Sequence, residues 1–340
     1  MKRPRIAPPA QEQLQVQELR GHLFGDEKAP NKILLRPVYT VFTKLVKESF
    51  QSREQKVVIA GSRGIGKSVF GWLMVLEFVL ENKIVLYNHR DVMLLVSGET
   101  PDATALQEVN QRMARFGFSA IGAEKGVYKF ETRDQADLFT SLCTLNLVQL
   151  VLDLGDGSIP IPRDGNAPKL ILSSPNADKL KTLERHLKNV FYMPVWSWEE
   201  LKAAHKAGLG VPGESEESLK EGFKTFGGIA RTLLQTPKKK READLKKELN
   251  SIRPPELTAI FESMAYHSMP ASSGILIHVF PENDAYDDYR CDFASKEMCL
   301  QLLVKFQLDG KCTVEKFAAD VAGKSSLAAW SGLIFEPMVH

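Results

Sequence analysis

The feature that most constrains this chain is the segment Gly61-Ser62-Arg63-Gly64-Ile65-Gly66-Lys67-Ser68, which meets G-x-x-x-x-G-K-[ST] at every fixed position. Its flanks suit it. Gln55–Ala60 carries the apolar run Val57-Val58-Ile59 and reads as a buried strand, and Lys67–Leu80 reads as a strongly apolar helix. A loop of this kind needs that setting. Its glycines let the backbone turn so that successive N–H groups converge on phosphate oxygens. The helix start adds the positive end of its dipole. Lys67 can then reach β- and γ-phosphates, and the Ser68 hydroxyl can ligate Mg²⁺. Gly61, Ser62, Arg63, Gly64, Ile65, Gly66, Lys67, Ser68 and Val69 form the expected binding set for ATP or another nucleoside triphosphate with Mg²⁺.

Such a loop calls for a second metal partner, an Asp ending a buried strand beside the first. Leu147–Asp153 supplies Asp153, and Asp156, three residues on, is a rival. No Glu follows Asp153 to orient an attacking water; Asp156 or Glu131 could substitute. The next apolar run, Lys169–Leu172, ends in Ser173-Ser174-Pro175-Asn176, so Ser174 and Asn176 are candidates to sense a γ-phosphate, or else simple helix caps. Downstream, Gly227-Gly228 precedes Arg231, whose guanidinium could close on phosphate charge. The expected catalytic set is Lys67, Asp153, Asp156 and Arg231, with Ser68 and Asp153 on the metal.

Strands alternate with helices over the first two hundred or so residues, the signature of a parallel α/β sheet with helices on both faces. Helices are expected over 33–50, 67–80, 106–116, 134–143 and 177–188, and strands over 55–60, 83–88, 147–152, 169–172 and 189–195, with a strand or hairpin at 126–132. From Trp198 onward helices dominate: 198–207, 214–223, 251–265, 293–308 and 314–336, interrupted by a charge cluster at 236–250 and a strand at 274–280. The expected organisation is a mobile arm over 1–30 with a short helix at 11–23, a P-loop NTPase core over 31–198, and a helical, winged-helix-like lid over 199–340.

Composition narrows the classes further. With 44% hydrophobic and 25% charged residues, the chain is neither largely disordered nor a polytopic membrane protein. A net charge of +2 excludes polyanion binding by bulk charge, so a nucleic-acid role needs a local basic patch. The start, Met-Lys-Arg-Pro-Arg, has no apolar stretch behind it, so no secretory leader is expected. The longest apolar stretch, Val69–Leu80, falls short of the ~20 residues a bilayer requires. Cys143, Cys291, Cys299 and Cys312 form no C-x-x-C pair and read as buried thiols. Lys2-Arg3-Pro4-Arg5 and Lys238-Lys239-Lys240-Arg241, the latter reinforced by Lys246 and Lys247, could serve nuclear import or lie on a phosphate backbone; Glu242, Asp244 and Glu248 also allow a solvated helix face. Trp196 and Trp198 read as packing residues.

Several strings then carry a resemblance in a fixed order. The loop Gly61–Phe70 resembles that of Crinkler effectors and the related retrotransposon-hot-spot proteins of trypanosomes. Leu35-Arg36-Pro37-Val38-Tyr39, Leu172-Ser173-Ser174-Pro175, Tyr192-Met193-Pro194-Val195-Trp196-Ser197-Trp198-Glu199-Glu200-Leu201 and Phe226-Gly227-Gly228-Ile229-Ala230-Arg231 are similar to further family strings, with Ala230 where proline is usual. Phe293-Ala294-Ser295 and Gly332-Leu333-Ile334-Phe335-Glu336 extend it, so it spans about 33–340. The resemblance implies a STAND/AAA-like ATPase module with a helical or winged-helix lid, secreted by an oomycete or fungus as a virulence effector and acting in the host nucleus. The family's N-terminal translocation motif and a PD-(D/E)xK nuclease constellation are not found, so nuclease activity is not expected.

The leading expectation is therefore Mg²⁺-dependent ATP binding and hydrolysis. A different class is a nucleotide-gated effector that binds a host nuclear protein, or DNA, without turnover. A P-loop kinase acting on a small molecule is a third reading, which the long helical C-terminal half fits poorly.

Overall fold

The computed structural model describes residues 14–18, 32–52, 55–89, 92–122, 126–131, 136–154, 167–174, 189–253 and 274–308. Seven strands form the central sheet: β3 (Lys56–Ala60), β4 (Ile84–His89), β5 (Val92–Ser97), β6 (Gly126–Glu131), β7 (Val148–Asp153), β8 (Lys169–Ser173) and β9 (Val190–Tyr192). Their order is β6-β5-β4-β7-β8-β3-β9. The five from β4 to β9 pair in parallel, while β5 and β6 extend one edge antiparallel. The sheet is thus mostly parallel rather than wholly so. Val57, Val58, Ile59 and Ala60 of β3 are all buried, as are Leu150–Asp153 of β7 and all of β8, as expected for strands covered on both faces.

Helices α1 (Pro37–Gln51), α2 (Lys67–Leu80), α3 (Ala103–Arg115) and α4 (Ala136–Leu142) flank the sheet. The apolar α2 packs on β4, β7 and β8, burying Phe70, Met74, Val75 and Phe78. It stops where Asn82 adopts φ 60°. There Lys83 N donates to Phe78 O and Asn82 N to Val79 O, a left-handed cap that satisfies the last carbonyls.

After β9 come α5 (Trp198–Lys206), α6 (Glu216–Phe226), α7 (Ala230–Gln235) and α8 (Lys238–Ser251), then the hairpin β10 (Ile277–Pro281) and β11 (Tyr289–Phe293), and α9 (Lys296–Leu308). The hairpin reaches the central sheet: Tyr192 N of β9 donates to Tyr286 O at 2.7 Å, and the Tyr192 and Tyr289 rings lie 4.4 Å apart.

Three expectations change. Gln15–Glu18 is not helical but forms β1, paired antiparallel with β2 (Lys32–Leu35), and Leu14 packs against the core. The helix expected from residue 33 begins at Pro37, because 32–35 belongs to that ladder and Pro, with φ pre-set and no N–H to lose, occupies the first turn. Finally, the basic run does not stay together. It lies on α8, where the Arg241 side chain is buried against Glu214 and donates to Leu233 O at 2.8 Å. Lys238 pairs with Glu221. Arg241 therefore cannot contribute to an exposed cationic patch. The run 2–5, the helices expected at 177–188 and 314–336, most of that at 251–265, and Cys312 lie outside the described residues.

Cys143, Cys291 and Cys299 are buried free thiols, and burial pushes each pKa up to about 12. A thiolate is the reactive form. All three are expected to resist alkylation at pH 8 in the folded chain and to label fully in urea, as read by peptide mass mapping. Rapid native labelling of any of them would contradict this packing. Among the described residues, no helix is long and apolar enough to cross a membrane.

Candidate functional site

The loop 61–68 lies between β3 and α2, as its sequence requires. Gly66 precedes the first helical residue with φ 102°, and Gly64 has φ 79°, a region that other L-residues avoid. Space is as restrictive as conformation. A Cβ on Gly64 would stand 2.8 Å from Arg231 Cβ, and one on Gly66 would collide with the Tyr39 hydroxyl. The loop is therefore shaped by its surroundings as well as by its own glycines.

Lys67 opens α2 and is buried. Its Nζ donates to Gly61 O and Ser62 O, each at 2.7 Å. Burial lowers its pKa to about 7; the Asp153 carboxylate opposes the shift, and the Arg231 and Arg63 cations add to it. Three basic side chains and one carboxylate thus share the field at this loop. A buried ammonium that meets carbonyls and no carboxylate among the described residues is what an incoming anion would stabilise. Ser68 follows in the first helical turn, half-buried, and Val69 beside it packs partly on the core.

Asp153 ends β7 and is buried. It does not lie on the strand next to β3, as the sequence reading had it. β8 is interposed, with Ala60 opposite Ser173 and Asp153 opposite Leu172. The end of β8, Ser173 and half-buried Ser174, is therefore placed between the loop and Asp153. Asp156 and Asn176 lie outside the described residues. The backbone of Glu131 lies far from that of Asp153. Register runs Asp153–His89–Val92–Glu131 across the sheet, which puts Glu131 three strands, roughly 14 Å, away.

Arg231, at the start of α7, reaches the loop through its backbone: its N donates to Gly64 O at 3.0 Å, and its side chain is exposed. The Ser62 hydroxyl accepts from Val279 N of β10 at 2.9 Å, which fixes the hairpin to the loop as well. Beside that contact His278 is buried against Gly227, and burial lowers its pKa to about 4, so the ring is neutral.

Sequence reasoning missed two groups. Behind the loop, Arg36 donates to Ile65 O, Pro194 O and Val195 O, each at 3.1 Å, and pairs with Glu200 at 2.9 Å. Trp196 Nε1 also donates to Ile65 O (2.7 Å), and the Tyr39 hydroxyl to Gly66 O (3.0 Å). Burial pushes the Tyr39 pKa up to about 12, so it stays a donor. Glu200 closes the capping box of α5 with Ser197 while holding Arg36. These donors hold the loop carbonyls on its rear side. The strings 35–39 and 192–201, far apart in sequence, converge on the rear of the loop. The second group is His89, whose Nδ1 lies 2.8 Å from Asp153 Oδ2; its only sequence signal is its place at the end of β4.

A triphosphate with Mg²⁺ fits these residues. Among the described residues Lys67 has no counter-anion in contact, and Ser68 and Asp153 could supply the one or two oxygen ligands that Mg²⁺ takes alongside phosphates. Among the described residues, no three His, Cys, Asp or Glu side chains cluster as a metal site of their own. In comparisons with known proteins, no family model matches the chain, and no curated protein does.

Proposed function

We propose that the chain is a P-loop NTPase that binds and hydrolyses ATP or a related nucleoside triphosphate with Mg²⁺. The observation that carries this is Lys67: buried, at the first position of α2, inside a glycine loop, and held, among the described residues, by the carbonyls of residues 61 and 62. The loop amides and Lys67 bind phosphate oxygens, and Ser68 and Asp153 hold the metal. Ser174, at the end of the interposed strand, senses the terminal phosphate in this reading, and Arg231 balances its charge from α7. When bound, Mg²⁺ neutralises phosphate charge.

The resemblance to Crinkler-type effectors gains support from the way its strings meet: Arg36, Trp196, Glu200 and Arg231 all hold the loop or one another. Secretion and action in a host nucleus, on a protein partner rather than DNA, belong to this proposal through that resemblance. Burial of Arg241 weighs against the DNA alternative.

Leu154, buried where a water-orienting Glu would follow Asp153, favours a second reading, a nucleotide-gated binder without turnover. Phosphate release over time separates the two. Release that vanishes in Lys67→Ala supports hydrolysis; tight ATP binding without Lys67-dependent release leaves the binder.

A further inference from the structure

We infer that His89 is a positioning residue for Asp153, fixing one carboxylate oxygen so that the other serves the metal. The inference rests on the proposed nucleotide site. β4 and β7 pair in parallel with His89 directly opposite Asp153, so both side chains leave the same end of the sheet. An ionised carboxylate only accepts hydrogen bonds, so the 2.8 Å contact to Oδ2 requires the hydrogen on Nδ1. The ring is held in turn. It stacks on Tyr87 at 6.1 Å and 10°, and Tyr87 packs on Trp72 of α2 at 5.6 Å. The α2 ring, the β4 aromatic, the histidine and the carboxylate thus form one continuous chain of contacts.

The bond also keeps Asp153 off Lys67. Among the described residues no ion pair joins them, and Asp153 acts on the lysine only through its field. A carboxylate free to swing onto the ammonium would neutralise the anion cradle and abandon the metal. Partners that orient a ligating group in this way are worth 10- to 100-fold in metal affinity.

The test is the ratio of the ATP dissociation constant in EDTA to that in millimolar Mg²⁺, measured with a fluorescent methylanthraniloyl-ATP. His89→Ala and His89→Gln are expected to reduce the ratio about tenfold. His89→Asn, whose amide nitrogen falls where Nδ1 stands, is expected to restore it to within about threefold. A purely structural role would not distinguish Asn from Gln. The inference is overturned if all three variants keep the ratio of the unaltered chain, if all three lose it equally, or if binding weakens equally in EDTA and Mg²⁺. Absence of any Mg²⁺-dependent binding by the unaltered chain sinks the nucleotide reading itself, and a normal ratio there with unresponsive variants sinks only the role of His89.

Discussion

Arg36→Ala is expected to destabilise the chain by about 3–5 kcal/mol, read as a lower urea midpoint by circular dichroism. The Arg36 side chain is 1% exposed and Glu200 12%, so removing one partner strands the other charge away from water. The damage spreads because this guanidinium also serves three carbonyls, Ile65, Pro194 and Val195, in addition to both Glu200 oxygens. Nε and Nη2 grip the two carboxylate oxygens, Nη2 is shared with Pro194 O and Val195 O, and Nη1 serves Ile65 O, so the planar fork is used on every nitrogen. Arg36→Lys, with three donors on a point charge, is therefore expected to recover only part of the loss. The rear of the loop 61–68 loosens in the same event, so under the proposed function protein that remains folded should bind nucleotide more weakly. A midpoint shift below ~1 kcal/mol would mean that this pair is not the anchor its geometry indicates.

The sequence disclosed those parts of the molecule whose cause is local. The helix Lys67–Leu80 is legible to the residue because Gly66 fixes its start and the polar Glu81-Asn82-Lys83 its end. β7 and β8 are legible because both faces are buried, so Leu150–Leu152 and Leu170–Leu172 are continuous apolar runs. What stayed hidden depends on distant partners. β5 carries an apolar run of its own, Val92–Val96, but it follows β4 with no helix between, and its antiparallel pairing with β4 and β6 departs from the strand–helix alternation by which the parallel strands are read. Arg36 meets Glu200 across 164 positions and His89 meets Asp153 across 64, and nothing in either neighbourhood marks the partner. The interposed β8 shows the same limit: adjacency to β3 belongs to the sheet order, which no single strand encodes. Arg241 misled for the opposite reason. Its neighbours are solvated charges, while its own side chain turns inward to Glu214.

Lys67 offers the sharper test, because its two states differ by a proton. In the empty chain its pKa is lowered to about 7 by burial, whereas a bound triphosphate favours the ammonium form. Above pH 7 binding must then take up close to one proton. Affinity for Mg²⁺-ATP is expected to fall up to about tenfold per pH unit from about 7 upward, until the raised pKa of the bound state is passed. The sign for stability runs the other way. Unfolded lysine holds its proton to about 10.5, so between about 7 and 10.5 the unfolded chain binds more protons, and this group makes the empty fold more stable as pH rises. The stabilisation conferred by ATP should accordingly be largest near pH 7 and shrink toward pH 9. Lys67→Ala removes two charge-assisted contacts to phosphate, each worth ~1.5–3 kcal/mol, so affinity should drop by at least about 100-fold. Calorimetry in buffers of different ionisation enthalpy reads the proton directly. Uptake should approach one at pH 8 in the unaltered chain and vanish in Lys67→Arg, whose guanidinium stays charged throughout. An affinity flat from pH 7 to 9, or uptake that persists without Lys67, would place the titrating group elsewhere and remove the lysine from the phosphates.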